Sequence, residues 1–306
     1  METRRGIWYA IGAYVAWGLS PIFWNLIPDI QAIELLADRI LWAVPMLAIV
    51  IGISHRWSEV RDSYRPWRTR WLTVVAAAFL LSNWGFFLWA VTNGRIVEAS
   101  LGYFINPLVS VALGVVVLGE RLRRLQWVAV GIAVLGVVGM TIAVGELPWI
   151  SLILAGSFGT YGLIKKRPET PRPVVSLFGE SAVLVVPASV VALLLARTGT
   201  ASFGQTPGIS VFLVTTGLMT VLPLLLFGAA AKRIPLTAIG LLQYIAPTLQ
   251  LLVGILIYEE TLTGERLAWF VVVWIALALY SFDSYRGASS GNERRTNSLL
   301  RERGGR

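Results

Sequence analysis

From residue 7 onward the sequence is a succession of apolar runs about as long as a bilayer crossing, separated by short segments rich in arginine. A helix needs roughly 20 apolar residues to cross the hydrocarbon core, and only helices and closed barrels can cross, because lipid offers the backbone no hydrogen-bond partners. Barrel strands would alternate apolar and polar residues over about 10 positions. Runs such as VVAAAFLL and LLLFGAAA do not alternate. The pattern predicts an all-α integral membrane protein with ten transmembrane helices, at 7–27, 33–53, 71–91, 98–118, 126–144, 148–164, 174–196, 209–231, 236–258 and 267–283.

Composition agrees with that pattern: 56% of residues are hydrophobic and 14% charged, against about 25% charged in soluble domains, and the mean hydropathy is +0.70. The first run follows Arg4 and Arg5 as a signal peptide would, but its length and the similar runs behind it read as a retained helix. Cytoplasmic loops collect the excess of Lys and Arg. With the N-terminus inside, 22 of the 26 basic residues fall on the cytoplasmic side, which predicts cytoplasmic termini. The net charge of +9 borders apolar spans, so anionic lipid is the expected partner and nucleic acid is not. Trp57, Trp67 and Trp71 flank the Arg-rich second loop and mark an interfacial segment, while residues 286–306 read as a disordered basic tail.

The two halves repeat. An offset of 140 aligns Pro107 with Pro247, Gly114 with Gly254 and Glu120 with Glu260, and nearby offsets align Trp17 with Phe158, Asp38 with Glu180 and Pro45 with Pro187. The predicted repeats are 1–145 and 146–285. Five spans in each half would make the second enter the membrane from the opposite side, an inverted repeat of the kind that supports alternating access to a midplane site.

The stretches EASLGYFINPL at 98–108 and LGERLRRLQW at 118–127, with AYVAWGLSPIFW, ELLADRILW, SFGTYGLIKK and LLQYIAPTLQ elsewhere, resemble the RarD family of EamA-type transporters, in the drug/metabolite transporter superfamily. The resemblance implies ten helices in two EamA repeats. It also implies an inner-membrane secondary transporter exporting a small metabolite or drug-like solute, in a family linked by name to chloramphenicol sensitivity.

Candidate residues follow from the cost of polarity in a bilayer. Pro107 and Pro247 remove amides that would bond the carbonyls of Tyr103 and Gln243, so they predict kinks, as do Pro45 and Pro187. Tyr103, Asn106 and Ser110 share a helical face, and Gln243 and Tyr244 occupy the matching stretch of the other half. Trp17, Asn83, Trp84 and Tyr161 add polar and aromatic groups suited to a planar or amphipathic solute. Asp38, Arg39 and Glu180 are intramembrane charges, each costing roughly 2.5–3.5 kcal/mol on insertion scales, and are expected to couple or gate transport. Proton exchange at Glu180 and Asp38 is the expected coupling step, alternating a protonated acid with an ion pair to Arg39 wherever the two meet. Glu34, four residues before Asp38, sits near a helix end where snorkelling or capping is expected. His55 is the only histidine and there is no cysteine. Metal clusters and a serine–histidine triad therefore lack their parts, no cofactor is expected, and no GxxxxGK[ST] phosphate loop is present. The alternative from another class is an intramembrane enzyme acting on a lipid-linked substrate through its carboxylates.

Overall fold

The computed structural model describes residues 2–24, 26, 30–92, 96–144 and 149–257, and then 264, 267–269, 271–272, 274–276, 278–280 and 282–283. The predicted tail at 286–306 lies outside these, as do Asn93, Glu260 and Arg266. Among the described residues the continuous helices are, in chain order, α1 (Glu2–Trp24), α2 (Ala32–Ile53), α3 (Trp57–Ser63), α4 (Trp67–Thr92), α5 (Ile96–Val116), α6 (Arg124–Val144), α7 (Trp149–Lys166), α8 (Pro173–Thr198), α9 (Pro207–Ala231), α10 (Leu236–Leu242) and α11 (Ile245–Ile257). No strand occurs among the described residues. Among the described residues, six helical segments are long and apolar enough to cross a membrane: those in α1, α2, α4, α8 and α9, and Leu236–Ile257.

The chain packs as two units, 1–120 with 146–261 and 121–145 with 262–306. In the second, the Gly139 backbone lies against the Trp269 indole, and Arg123 pairs with Asp283 at 3.3 Å.

The first unit is inside out relative to a soluble domain. Along α8, Val183, Val186, Val190 and Leu193 are exposed, whereas Ser176, Glu180 and Ser181 are buried. Exposed valines at a helical spacing form a lipid-facing stripe, and the polar face turns inward because lipid cannot satisfy it.

The helices cross between the halves more than within them. α1 packs on α9 as α4 packs on α7; α5 packs on α7 as α11 and α10 pack on α1; α2 packs on α9 as α4 packs on α8. The remaining large contacts, α2 with α8 and α5 with α10, join elements that the sequence offsets would match.

The connections gather at two ends. At one, the Tyr64 hydroxyl donates to the Val175 carbonyl at 2.9 Å, Thr69 to the Glu169 carbonyl at 3.2 Å, and Arg233 pairs with Glu2 at 2.9 Å. At the other, Phe23 stacks on Phe212 at 4.7 Å, and Glu34 reaches the α8–α9 connection.

Two expectations change here. The ninth span is two helices, and the Gln243 carbonyl is not left free, because the Ala246 amide donates to it at 3.1 Å. Pro247 stands in the first turn of α11, where an amide would have no helical partner anyway, so it opens a helix instead of kinking one. Pro45, Pro107 and Pro187 do lie inside α2, α5 and α8, and so do Pro21 in α1 and Pro223 in α9.

Candidate functional site

Polar side chains inside the first unit form two clusters and one closure. The first cluster begins at Arg39 on α2. Its Nε donates to the Thr220 hydroxyl of α9 at 2.9 Å, and its guanidinium lies 4.1 Å over the Trp84 ring of α4. The Tyr103 phenol of α5 is close enough to interact with it electrostatically. Four helices therefore converge on one cation. Flat stacking on indole suits guanidinium because its charge is delocalised and its faces are weakly hydrated.

One turn along α5 from Tyr103, the α5–α10 crossing holds the second polar pair. Tyr244 donates to the Phe104 carbonyl at 3.1 Å, with ring centroids 6.4 Å apart. These two residues are 140 apart, the same offset that aligns Pro107 with Pro247 in the sequence. Trp17 and Phe158, matched at offset 141, likewise touch at 5.6 Å. Asn106 Oδ1 and Gln243 Oε1 are buried at this crossing without a hydrogen-bond partner. An unpaired buried amide oxygen costs about 1–3 kcal/mol, which a ligand that donates to it would recover.

The second cluster is built on Glu180. Its Oε2 accepts from the Tyr161 hydroxyl at 3.0 Å, and its Oε1 accepts from Ser176 at 2.7 Å and from the Lys165 ammonium. Lys165 also donates to Ser176 at 2.8 Å and lies over the Tyr161 ring. Tyr161 and Lys165 are one turn apart on α7, and Ser176 and Glu180 one turn apart on α8. The cation paired with Glu180 is therefore Lys165, which the charge count had placed in a cytoplasmic loop. Lys165 is 2% exposed. Burial of both members makes this pair costly to break and keeps water from bridging it.

The closure is Glu34. Instead of snorkelling it is buried, and its Oε1 accepts the amides of Ser202 and Phe203 at 2.5 and 3.1 Å, fastening α2 to the α8–α9 connection. Asp38, one turn on, is buried beside Glu34 and Trp42. Asn83 donates to the Leu154 carbonyl at 2.8 Å and to Ser157 at 3.1 Å, binding α4 to α7.

Glu120, noted only as half of a repeat match, acts at the start of α10. Its carboxylate accepts the Leu236 and Thr237 amides at 2.7 and 3.0 Å, and Lys166 lies 3.5 Å away. Two donors left unpaired at a helix start are satisfied by one side chain from 116 residues earlier. Among the described residues no group of acidic or histidine side chains could hold a metal.

A model of the EamA-like transporter family matches residues 4–142. Protein RarD of Streptomyces exfoliatus is 46% identical over 96% of this chain and 93% of its own length. An uncharacterized transporter of Pseudomonas aeruginosa is 42% identical over 93% of this chain and 96% of its own. A crystal structure at 18% identity superposes with a TM-score of 0.71, covering 90% of this chain and 97% of that one, which establishes likeness of fold. These matches carry the observations on helix content and inward-turned charge to one assignment: the chain is a multi-pass bacterial membrane transporter belonging to the RarD family of EamA-type proteins in the drug/metabolite transporter superfamily.

Proposed function

We propose that the protein is a secondary transporter that exports a small amphipathic solute by alternating access, built from inverted repeats at 1–145 and 146–285 with both termini cytoplasmic. The observation that carries this reading is the exchange-related packing of the halves, with α1 on α9 answering α4 on α7 and repeat-equivalent residues touching at Tyr244–Phe104 and Trp17–Phe158. Two halves that pack only through such related contacts have a mirror-like alternative packing of similar energy, which alternating access requires.

In this reading Arg39 and Trp84 hold an acidic or strongly polar group beside a planar one, with Tyr103, Thr220 and the amides of Asn106 and Gln243 completing the hydrogen bonds. Trp17 and Tyr161 extend the aromatic surface. Glu34 and the Glu180–Lys165 pair close opposite ends. Asp38 and Glu180 exchange protons as their access to water alternates, and anionic lipid holds the basic face. Asn83 serves packing.

Sealed proteoliposomes test the function. A transporter should move unmodified solute, with chloramphenicol and a panel of aromatic acids as first probes. Arg39→Gln should reduce initial rates at least about tenfold at matched abundance, since a charge-assisted contact to solute is worth about 1.5–3 kcal/mol. Chemical conversion of the probe in detergent, with no compartment, would replace transport with catalysis. Reporters at the N-terminus and in the 54–70 segment should both read cytoplasm; a periplasmic reading at either would overturn the orientation.

A further inference from the structure

A cavity of about 700 Å³ opens at the basic end of the first unit, lined by Glu2 and Tyr9 of α1, Arg56, the α7–α8 connection with Thr170 and Arg172, Pro173 and Val174 at the start of α8, and Leu225, Ala229, Lys232 and Arg233 at the end of α9. Its lining divides by chemistry. Arg56, Arg172, Lys232 and Arg233 form a rim, while Leu225 and Ala229 lie one to two turns further along α9 and continue the wall in apolar form.

The rim is short of negative charge. Arg56 and Arg172 share Glu59, at 3.7 and 3.4 Å, and Arg233 shares Glu2 with Arg5, at 2.9 and 3.6 Å. Lys232 donates to the carbonyls of Arg167 and Thr170 at 2.7 and 2.9 Å. Partial burial, together with Lys165 and Lys166 nearby, lowers its pKa to about 8, against the opposing pull of Glu169. An anion beside Lys232 would reverse that shift. The start of α8 adds to the field: its N-cap, Arg172, makes no side-chain cap, so the positive end of a 26-residue helix faces the same space.

We propose that this cavity is a discrete binding site for a phosphate-bearing anion, held by Arg56, Arg172, Lys232 and Arg233. The phosphate belongs to an anionic phospholipid headgroup or to a soluble organic phosphate; the two share the recognition chemistry and differ in whether the Leu225–Ala229 wall is used. Guanidinium groups bind phosphate oxygens in pairs, and a concave cationic rim excludes the water that screens an open surface. The site is independent of the transport reading, since it neither touches nor requires the Arg39 cluster.

Thermal unfolding of the purified protein in neutral detergent tests it, with phosphatidylglycerol, phosphatidylcholine and glycerol 3-phosphate as probes. A site occupied far above its Kd should raise Tm by about 3 °C or more. A saturable shift with phosphatidylglycerol alone assigns the lipid; a saturable shift with glycerol 3-phosphate assigns the soluble anion. Arg56→Gln/Arg172→Gln should abolish the shift, while Arg4→Gln/Arg68→Gln, which removes two exposed charges outside the cavity, should keep it. Native mass spectrometry of the first variant, showing a folded protein without the bound anion, separates lost binding from lost fold. The proposal fails if neither phosphatidylglycerol nor glycerol 3-phosphate shifts Tm, if zwitterionic phosphatidylcholine acts equally, or if both double variants lose the shift together.

Discussion

Lys165→Met should destabilise the protein by about 3–5 kcal/mol, the usual result of leaving one member of a buried ion pair without its partner. Glu180 is 1% exposed and Lys165 2% exposed, so neither charge can turn to water when the other is removed. Glu180→Gln should cost a similar amount, because the amide has a single oxygen to accept where Tyr161 and Ser176 now donate to two, and it leaves the ammonium without a charged partner. The double variant Lys165→Met/Glu180→Leu should recover most of the loss, since two apolar side chains of similar volume need no partners. Unfolding in detergent, followed by intrinsic fluorescence, measures all three. A double variant no more stable than the singles would mean that the loss comes from packing and not from charge. Transport should divide the set differently: Glu180→Gln should keep solute exchange and lose gradient-driven accumulation, and the double variant, although stable, should not regain it.

The same cluster shows what could and could not be read from sequence. Tyr161 with Lys165 and Ser176 with Glu180 stand four apart, so each pair sharing a helix face was legible. Which face turns inward was not. Lys165 precedes Lys166 and Arg167, and such a string at a span end reads as a snorkelling cytoplasmic patch. Neighbours on a helix point about 100° apart, so one lysine turned to Glu180 and the next toward Glu120 and the Ile234 carbonyl.

Glu34 shows a second limit. Its position near a helix end was readable, but its donors lie 168 and 169 residues away, in a connection whose path depends on the whole packing. The helices at the first eight predicted spans, with Pro45, Pro107 and Pro187 inside three of them, came through, because bilayer thickness and the cost of polarity leave a one-dimensional trace. The break at Gln243 and Tyr244 did not, because a proline in the first turn of a new helix and a proline inside a continuous one look alike until the carbonyl four residues back is located.

Gly240→Ala should cost about 1–3 kcal/mol and lower transport at least about tenfold, as overpacking at a tight helix crossing does. A methyl carbon at Gly240 would lie 2.6 Å from the Pro107 carbonyl oxygen and 2.9 Å from the Ser110 Cβ. A backbone carbonyl cannot rotate aside as a flexible side chain can, so α10 and α5 would have to move apart. That separation acts where Tyr244 donates to the Phe104 carbonyl and where the Asn106 and Gln243 amides are buried, so it should disturb the solute contacts before it disturbs insertion. Gly85→Ala is the matched control. Nothing lies within 4 Å of a methyl carbon there, and α4 is helical on both sides of it. Alanine should therefore be neutral or stabilise by up to about 1 kcal/mol through helix propensity. Equal transport by Gly240→Ala and Gly85→Ala at matched abundance would show that the α5–α10 crossing tolerates separation, and would remove it from the moving parts of the transporter.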